Sequence, residues 1–368
     1  MSPYSRNPFI ESELLPVDIV FHPSWWYKHA GITFDEDFFY HPLKRVEAEQ
    51  KMEKELFERF GEFGLGKNRI NKLPVIGAVH NAAGYLLSEM LGCRIEYHED
   101  SAPQVIRIGK HESKMDPADA FRSAAFINLQ NLMDDLKKKF GYLTGDINWG
   151  GVLNIALDIT GDEILTSFYE NPLETKKQFL EISGIIEKFV TGIASETGTT
   201  SLSVNRNVIN IKKPVFLHSE CSHTMISTDL YEEFLMPFDI EWSKKFRPFG
   251  IHYCGRDPHR YAELFGKIRN LDFLDVGWGG DLKILRSHLP NTFLNIRLDP
   301  VNLNDYSADE LEKTIISLIN DSANPYLTGV CCVNMDDKVE DEKVTIIFRT
   351  VEKLRKDFLK QMNLISGI

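Results

Sequence analysis

Short apolar runs, each closed by a polar residue and followed by a stretch with helical spacing, recur along the chain. Pro16-Val17-Asp18-Ile19-Val20-Phe21 is the first and ends at His22-Pro23. A loop with Trp25, Trp26, Tyr27 and His29 follows it. Over residues 43–60, Val46, Met52, Leu56 and Phe60 fall on one face, which predicts an amphipathic helix. Leu73-Pro74-Val75-Ile76-Gly77-Ala78-Val79-His80 reads as a second strand. After a helix over 85–91, the runs 94–98 and 104–108 predict a hairpin. A helix over 117–140 follows, with Asp116 as its cap and Pro117 in its first turn. Residues 142–149 form a third strand candidate, closed by Gly150-Gly151, and helices fill 154–165 and 173–196. Asn205-Arg206-Asn207 is placed to turn a small hairpin.

From there the alternation is regular. Strands are expected at 214–220, 249–254, 271–276, 292–298 and 326–333. Helices are expected at 229–245, 258–266, 281–288, 308–320 and 340–362. Strands alternating with helices at short spacing imply parallel βα units. Eight of them predict an α/β fold of the (β/α)8 TIM barrel type, one domain over residues 1–368, with an N-terminal extension and an inserted hairpin and helices.

Composition narrows the function classes. The formal charge of −12 argues against a nucleic-acid binder, which needs a basic face to displace counterions. No run approaches the roughly 18 apolar residues of a membrane span. The first fifteen residues lack the layout of a secretory signal, so a cytoplasmic protein is expected. Five thinly spread cysteines do not suit a disulfide framework and leave thiols for metal or catalysis.

In this fold reactive groups sit at the carboxyl ends of the strands. Those ends carry His22, His80, Asn148, Glu220, His252 with Cys254, Asp275, Arg297 and Cys331 with Cys332. Ile251-His252-Tyr253-Cys254-Gly255 is the most informative, because residues i and i+2 of an extended chain share a face. An imidazole nitrogen and a thiolate then converge, a donor pair that zinc favours. His252, Cys254 and one of Cys331 and Cys332 make three protein ligands with an open fourth position, the pattern of a catalytic zinc. Asp275 serves either as a displaceable ligand or as the acceptor that orients His252. Glu220 is a base, a substrate contact or a ligand, against a solvated loop acid. His22 and His80 are substrate contacts or satisfied histidines. Arg297 holds an anionic group or pairs with Asp299. The Trp25-Trp26-Tyr27 cluster lines a pocket or packs under a lid. The glycine-rich stretches Gly61–Asn68 and Gly277–Gly280 lack the full phosphate and dinucleotide fingerprints.

With Ser219-Glu220, the segment Leu230–Phe238, His252-Tyr253-Cys254-Gly255 and Leu298-Asp299-Pro300-Val301-Asn302-Leu303, the chain resembles the uroporphyrinogen decarboxylase superfamily. The likeness covers nearly the whole chain, is strongest over 214–333, and includes an early hairpin like that at 92–105. His-x-Cys with a distant cysteine is similar to the zinc motif of the methylcobalamin:coenzyme M methyltransferase branch. Residue 331 lies 77 positions after residue 254, a separation that suits that branch and favours Cys331 as the third ligand. The resemblance implies Zn2+ as cofactor and a methyl-corrinoid as co-substrate, delivered by a corrinoid protein. It also implies a thiol or other small molecule as methyl acceptor or donor, with homodimers among the assemblies to expect. The arginine-rich amino-terminal segment of the decarboxylases is missing at His22-Pro23-Ser24-Trp25-Trp26-Tyr27-Lys28. A lyase acting on a tetrapyrrole is the alternative activity. A non-catalytic corrinoid- or partner-binding barrel with a structural metal is the second.

Overall fold

A computed structural model describes residues 4–76, 84–107, 117–145, 147–198 and 210–366. Its centre is a curled parallel sheet of six strands in the order β1-β8-β7-β6-β5-β4. These are β1 (Val17–Phe21), β4 (Phe216–Ser219), β5 (Phe249–His252), β6 (Leu271–Val276), β7 (Phe293–Arg297) and β8 (Thr328–Met335). Almost every strand residue is buried on both faces, as a parallel sheet wrapped by helices requires. The predicted hairpin forms as the antiparallel pair β2 (Arg94–Glu96) and β3 (Gln104–Ile106).

Two of the eight expected strands appear only in part. Val75 and Thr144 make an isolated parallel bridge, tied by Ile76 N–H to Thr144 O at 3.0 Å and by Thr144 N–H to Pro74 O at 3.1 Å. The described residues therefore give a six-stranded parallel sheet consistent with a TIM-like barrel, without closing an eight-stranded ring. His80, Asp116 and the turn at 205–207 lie outside the described residues.

Helix boundaries shift where local capping wins over hydrophobic spacing. The residues expected as a tryptophan loop form a helix, Pro23–Ala30, with Pro at its start and Gly31 in the left-handed conformation at its end. Trp25 stacks on Phe21 with ring centroids 4.0 Å apart, and Trp25 and Trp26 are buried in the core while Tyr27 is exposed. The helix expected from 117 is a 3-10 turn to Arg122, and the α-helix runs Ala124–Phe140. Ser123 starts it by accepting from Phe126 N–H, a serine cap of the usual kind. Gly161 divides the stretch after 151 into helices Val152–Thr160 and Glu163–Glu170. The helix expected at 229–245 contains a π-turn over Tyr231–Leu235.

Arg286 fastens the amino ends of β7 and β8 beneath the sheet. Its buried guanidinium donates to the carbonyls of Ser322 (2.7 Å), Leu289 (2.9 Å), Thr292 (2.8 Å) and Leu327 (2.8 Å). Burial brings its pKa down to about 10, still charged at neutral pH. Arg286→Ala leaves buried carbonyls without a donor and should lower unfolding free energy by about 3 kcal/mol in urea titrations. Arg286→Lys should recover only part of that, because an ammonium group cannot reproduce the planar fork.

Candidate metal centre

The carboxyl end of the sheet is where chemistry-bearing side chains meet. Parallel pairing sets Ser219 against His252 and His252 against Asp275. It also sets Arg297 against Cys331 and Cys331 against Asp18. A band of polar residues thus crosses the carboxyl end of the sheet, and His252, Asp275 and Cys331 are fully buried.

Asp275 collects three of them. Its Oδ2 accepts from His252 Nδ1 and, at 2.8 Å, from Arg297 Nη2. Its Oδ1 takes the Cys331 thiol at 3.7 Å. Of the roles open to Asp275, orienting His252 is the one the geometry displays. Arg297, read as a partner for Asp299 or for an anion, pairs with Asp275 instead. Asp299 caps the following turn, accepting from Val301 N–H at 3.0 Å.

With Nδ1 engaged, His252 is left with Nε2, buried and without a hydrogen-bond partner. A ring nitrogen of His252 and the sulfurs of Cys254 and Cys221 lie within 4.8 Å of one another. An imidazole and two sulfurs at that separation could hold a metal ion. Cys254 Sγ also receives Arg297 Nη1 at 3.6 Å. The Cys221 thiol draws the Cys254 pKa down most, helped by His252 and Arg297 against the effect of burial, to about 3. Cys221 is pushed well up in return by its contact with Cys254 and by burial. Burial lowers the pKa of His252, but the neighbouring Asp275 carboxylate outweighs it and the net shift is upward.

The sulfur that stands with His252 and Cys254 is Cys221, where Cys331 or Cys332 was expected. Cys331 reaches Asp275 and does not join the group of three, and Cys332 is packed in the hydrophobic core. The reason is strand order: β4 borders β5, whereas β6 and β7 stand between β5 and β8. Cys221 follows β4 by two residues, as Cys254 follows β5, so adjacent strands deliver the two sulfurs side by side. Its position directly after Glu220 at a strand end was the available sequence signal.

Glu220 is fully buried beside this group. Its Oε2 accepts from Leu153 N–H at 2.7 Å and its Oε1 from Ser222 N–H at 3.2 Å. A Cβ at Gly151 would come within 2.4 Å of Glu220 Oε2, so only glycine lets the helix start approach this closely. His218 Nε2 lies 3.8 Å from Glu220 Oε2, and its Nδ1 is held at 2.7 Å by Asp239. Tyr231 Oη donates to the other Asp239 oxygen at 2.6 Å. Sequence reading did not single out this His218–Asp239–Tyr231 relay, whose members lie up to 21 residues apart.

Two other expected contacts are placed elsewhere. His22 caps the helix after β1, accepting Ser24 N–H on Nδ1 at 3.2 Å, and burial lowers its pKa. Asn148 lines a small hollow with Tyr40, Tyr85 and Leu129, apart from the sulfur group.

No helix among the described residues is long and apolar enough to cross a membrane. Neither a known family profile nor a curated protein sequence matches the chain. Solved structures do. A methyltransferase from Methanosarcina mazei is similar over 94% of this chain and 95% of its own, with a TM-score of 0.64 and 11% identity. A B12-independent methionine synthase from Shewanella sp. W3-18-1, in complex with selenomethionine, is similar over 94% of this chain and 99% of its own, with a TM-score of 0.51 and 11% identity. Both neighbours have the uroporphyrinogen decarboxylase-like fold, and the likeness shows that fold for this chain.

Proposed function

We propose that this chain is a zinc-dependent methyltransferase, moving a methyl group between a methyl-corrinoid carried by a partner protein and a thiol or other small acceptor. The observation that carries the reading is a ring nitrogen of His252 within 4.8 Å of two sulfurs at the carboxyl end of the sheet, in a residue whose Nε2 is buried and unpartnered. The fold shared with two methyltransferases supports it. These donors fit zinc, which when bound lowers the pKa of a substrate thiol and keeps its sulfur nucleophilic. His252 and Cys254 are the first two holders. Cys221 stands in place for the third, ahead of the Cys331 that the family resemblance implies.

The chain's own residues supply the rest. Asp275 fixes the His252 ring and, with Arg297, balances the charge around the sulfurs. Glu220 is placed to accept the proton that an incoming thiol gives up, since burial, against the pull of His218 and two backbone N–H groups, raises its pKa to about 7. A thiolate generated in this way would be the nucleophile for the methyl group, and the corrinoid, when docked, would supply the methyl and retain the bonding pair. Tetrapyrrole decarboxylation is less favoured, because Arg297 is buried against Asp275 and is not offered to a substrate carboxylate.

Metal analysis of protein purified without chelators should find about one zinc per chain. Cys254→Ala and His252→Ala should lose it and abolish methylcobalamin demethylation by a thiol panel. Asp275→Asn should weaken zinc binding roughly 10–100-fold. Loss of zinc in Cys221→Ser with retention in Cys331→Ser identifies the third sulfur, and the reverse assigns it to Cys331. Active protein without metal would overturn the reading, and transfer from methyltetrahydrofolate alone would remove the corrinoid from it.

Glu220 gives a separate prediction on stability. Its folded pKa lies above the unfolded value, so its stabilising contribution is complete below about 4.3 and is lost as pH rises to about 7. Across that window wild type should lose on the order of 3 kcal/mol relative to Glu220→Gln in denaturant titrations. An unchanged difference between the two proteins at pH 4.5 and pH 7.5 would contradict the shift.

A further inference from the structure

We propose that Cys221 and Cys254 form a reversible disulfide under peroxide, a modification site that switches off metal binding at this centre. Register brings the two together. Ser219 and His252 are paired on β4 and β5, and each cysteine stands two residues beyond its member of that pair. Neighbouring strands lie about 4.8 Å apart at the Ser219–His252 pair, from which each chain runs two residues to its cysteine. The sulfurs already stand within 4.8 Å. Closing to a bond of about 2.05 Å requires side-chain rotation and a small movement of the one-turn segment Cys221–Met225. That segment packs on the next loop, since a Cβ at Gly255 would lie 2.4 Å from Thr224 Cγ2.

Access selects the same pair. Of the five cysteines, Cys93, Cys331 and Cys332 are buried, while Cys221 and Cys254 are half-buried. The Arg297 guanidinium at 3.6 Å from Cys254 Sγ favours a negative sulfur there. The reaction balances with hydrogen peroxide as oxidant. The Cys254 thiolate attacks one peroxide oxygen, giving a sulfenic acid and hydroxide. The Cys221 sulfur then attacks the sulfenic sulfur, the new S–S bond forms and water leaves. Two thiols and one peroxide yield one disulfide and two waters, and a thiol reductant reverses the change. The disulfide ties up a sulfur of the proposed metal site, so the inference about metal release rests on the zinc reading. The cross-link itself does not.

The test treats full-length protein, as purified and after chelator treatment, with peroxide, followed by thiol blocking and peptide mass mapping. Released zinc is read with a chromogenic chelator. The expected result is a Cys221–Cys254 peptide pair two hydrogens lighter than its reduced parts, loss of two of the five thiols, zinc release in step, and recovery with dithiothreitol. Cys221→Ser, and separately Cys221→Ala, should form no cross-link and instead accumulate sulfinic acid at Cys254. A cross-link through any other cysteine, or irreversible oxidation of Cys254 in wild type without a cross-link, overturns the proposal. A cross-link in protein that never holds zinc supports the thiol pair while sinking the zinc reading. Bound zinc with no cross-link does the opposite.

Discussion

The carboxylate of Asp275 organises the centre of this molecule. Buried at the middle of the sheet, it takes hydrogen bonds from its two neighbouring strands and the one beyond: His252 on β5, Arg297 on β7 and Cys331 on β8. An ionised carboxylate in so apolar a place is costly unless it is paired and bonded on both oxygens. Here the guanidinium provides the pairing and the imidazole and thiol complete it. The same interactions fix the tautomer of His252, with Nδ1–H toward Asp275 and Nε2 left as the donor. One carboxylate therefore satisfies a packing constraint and aims a ligand.

A second buried carboxylate works differently. Glu220 has two backbone N–H groups and the His218 imidazole at 3.8 Å against it, but burial outweighs them and raises its pKa to about 7. Two buried acids at one end of the sheet thus differ in their surroundings, one paired with a guanidinium and one held mainly by backbone N–H groups. Behind Glu220, His218, Asp239 and Tyr231 form a bonded chain with both Asp239 oxygens occupied. This chain ties His218 on β4 to the helix that follows through both oxygens of Asp239.

The closeness of Cys221 to Cys254 gives the centre a property beyond ligand supply. Two sulfurs near enough to share a metal need only side-chain rotation and a local shift to reach bonding distance. The strand register that assembles such a site also makes it sensitive to oxidation. Cys331, inside the barrel and bonded to Asp275, is protected from that fate by its burial.

The sequence by itself determined the parallel βα alternation, the positions of six strands to within a few residues, and the convergence of polar residues on one sheet end. Those features are local: hydrophobic runs, capping residues and the i, i+2 rule act within a few positions. It also placed His252, Cys254 and Asp275 correctly at strand ends, because a strand end is a local event. The tertiary structure alone decided which sulfur stands beside them and which cation neutralises Asp275. Those choices follow from strand order and register, set by packing among residues tens of positions apart. Spacing along the chain favoured Cys331; adjacency of β4 to β5 brought Cys221.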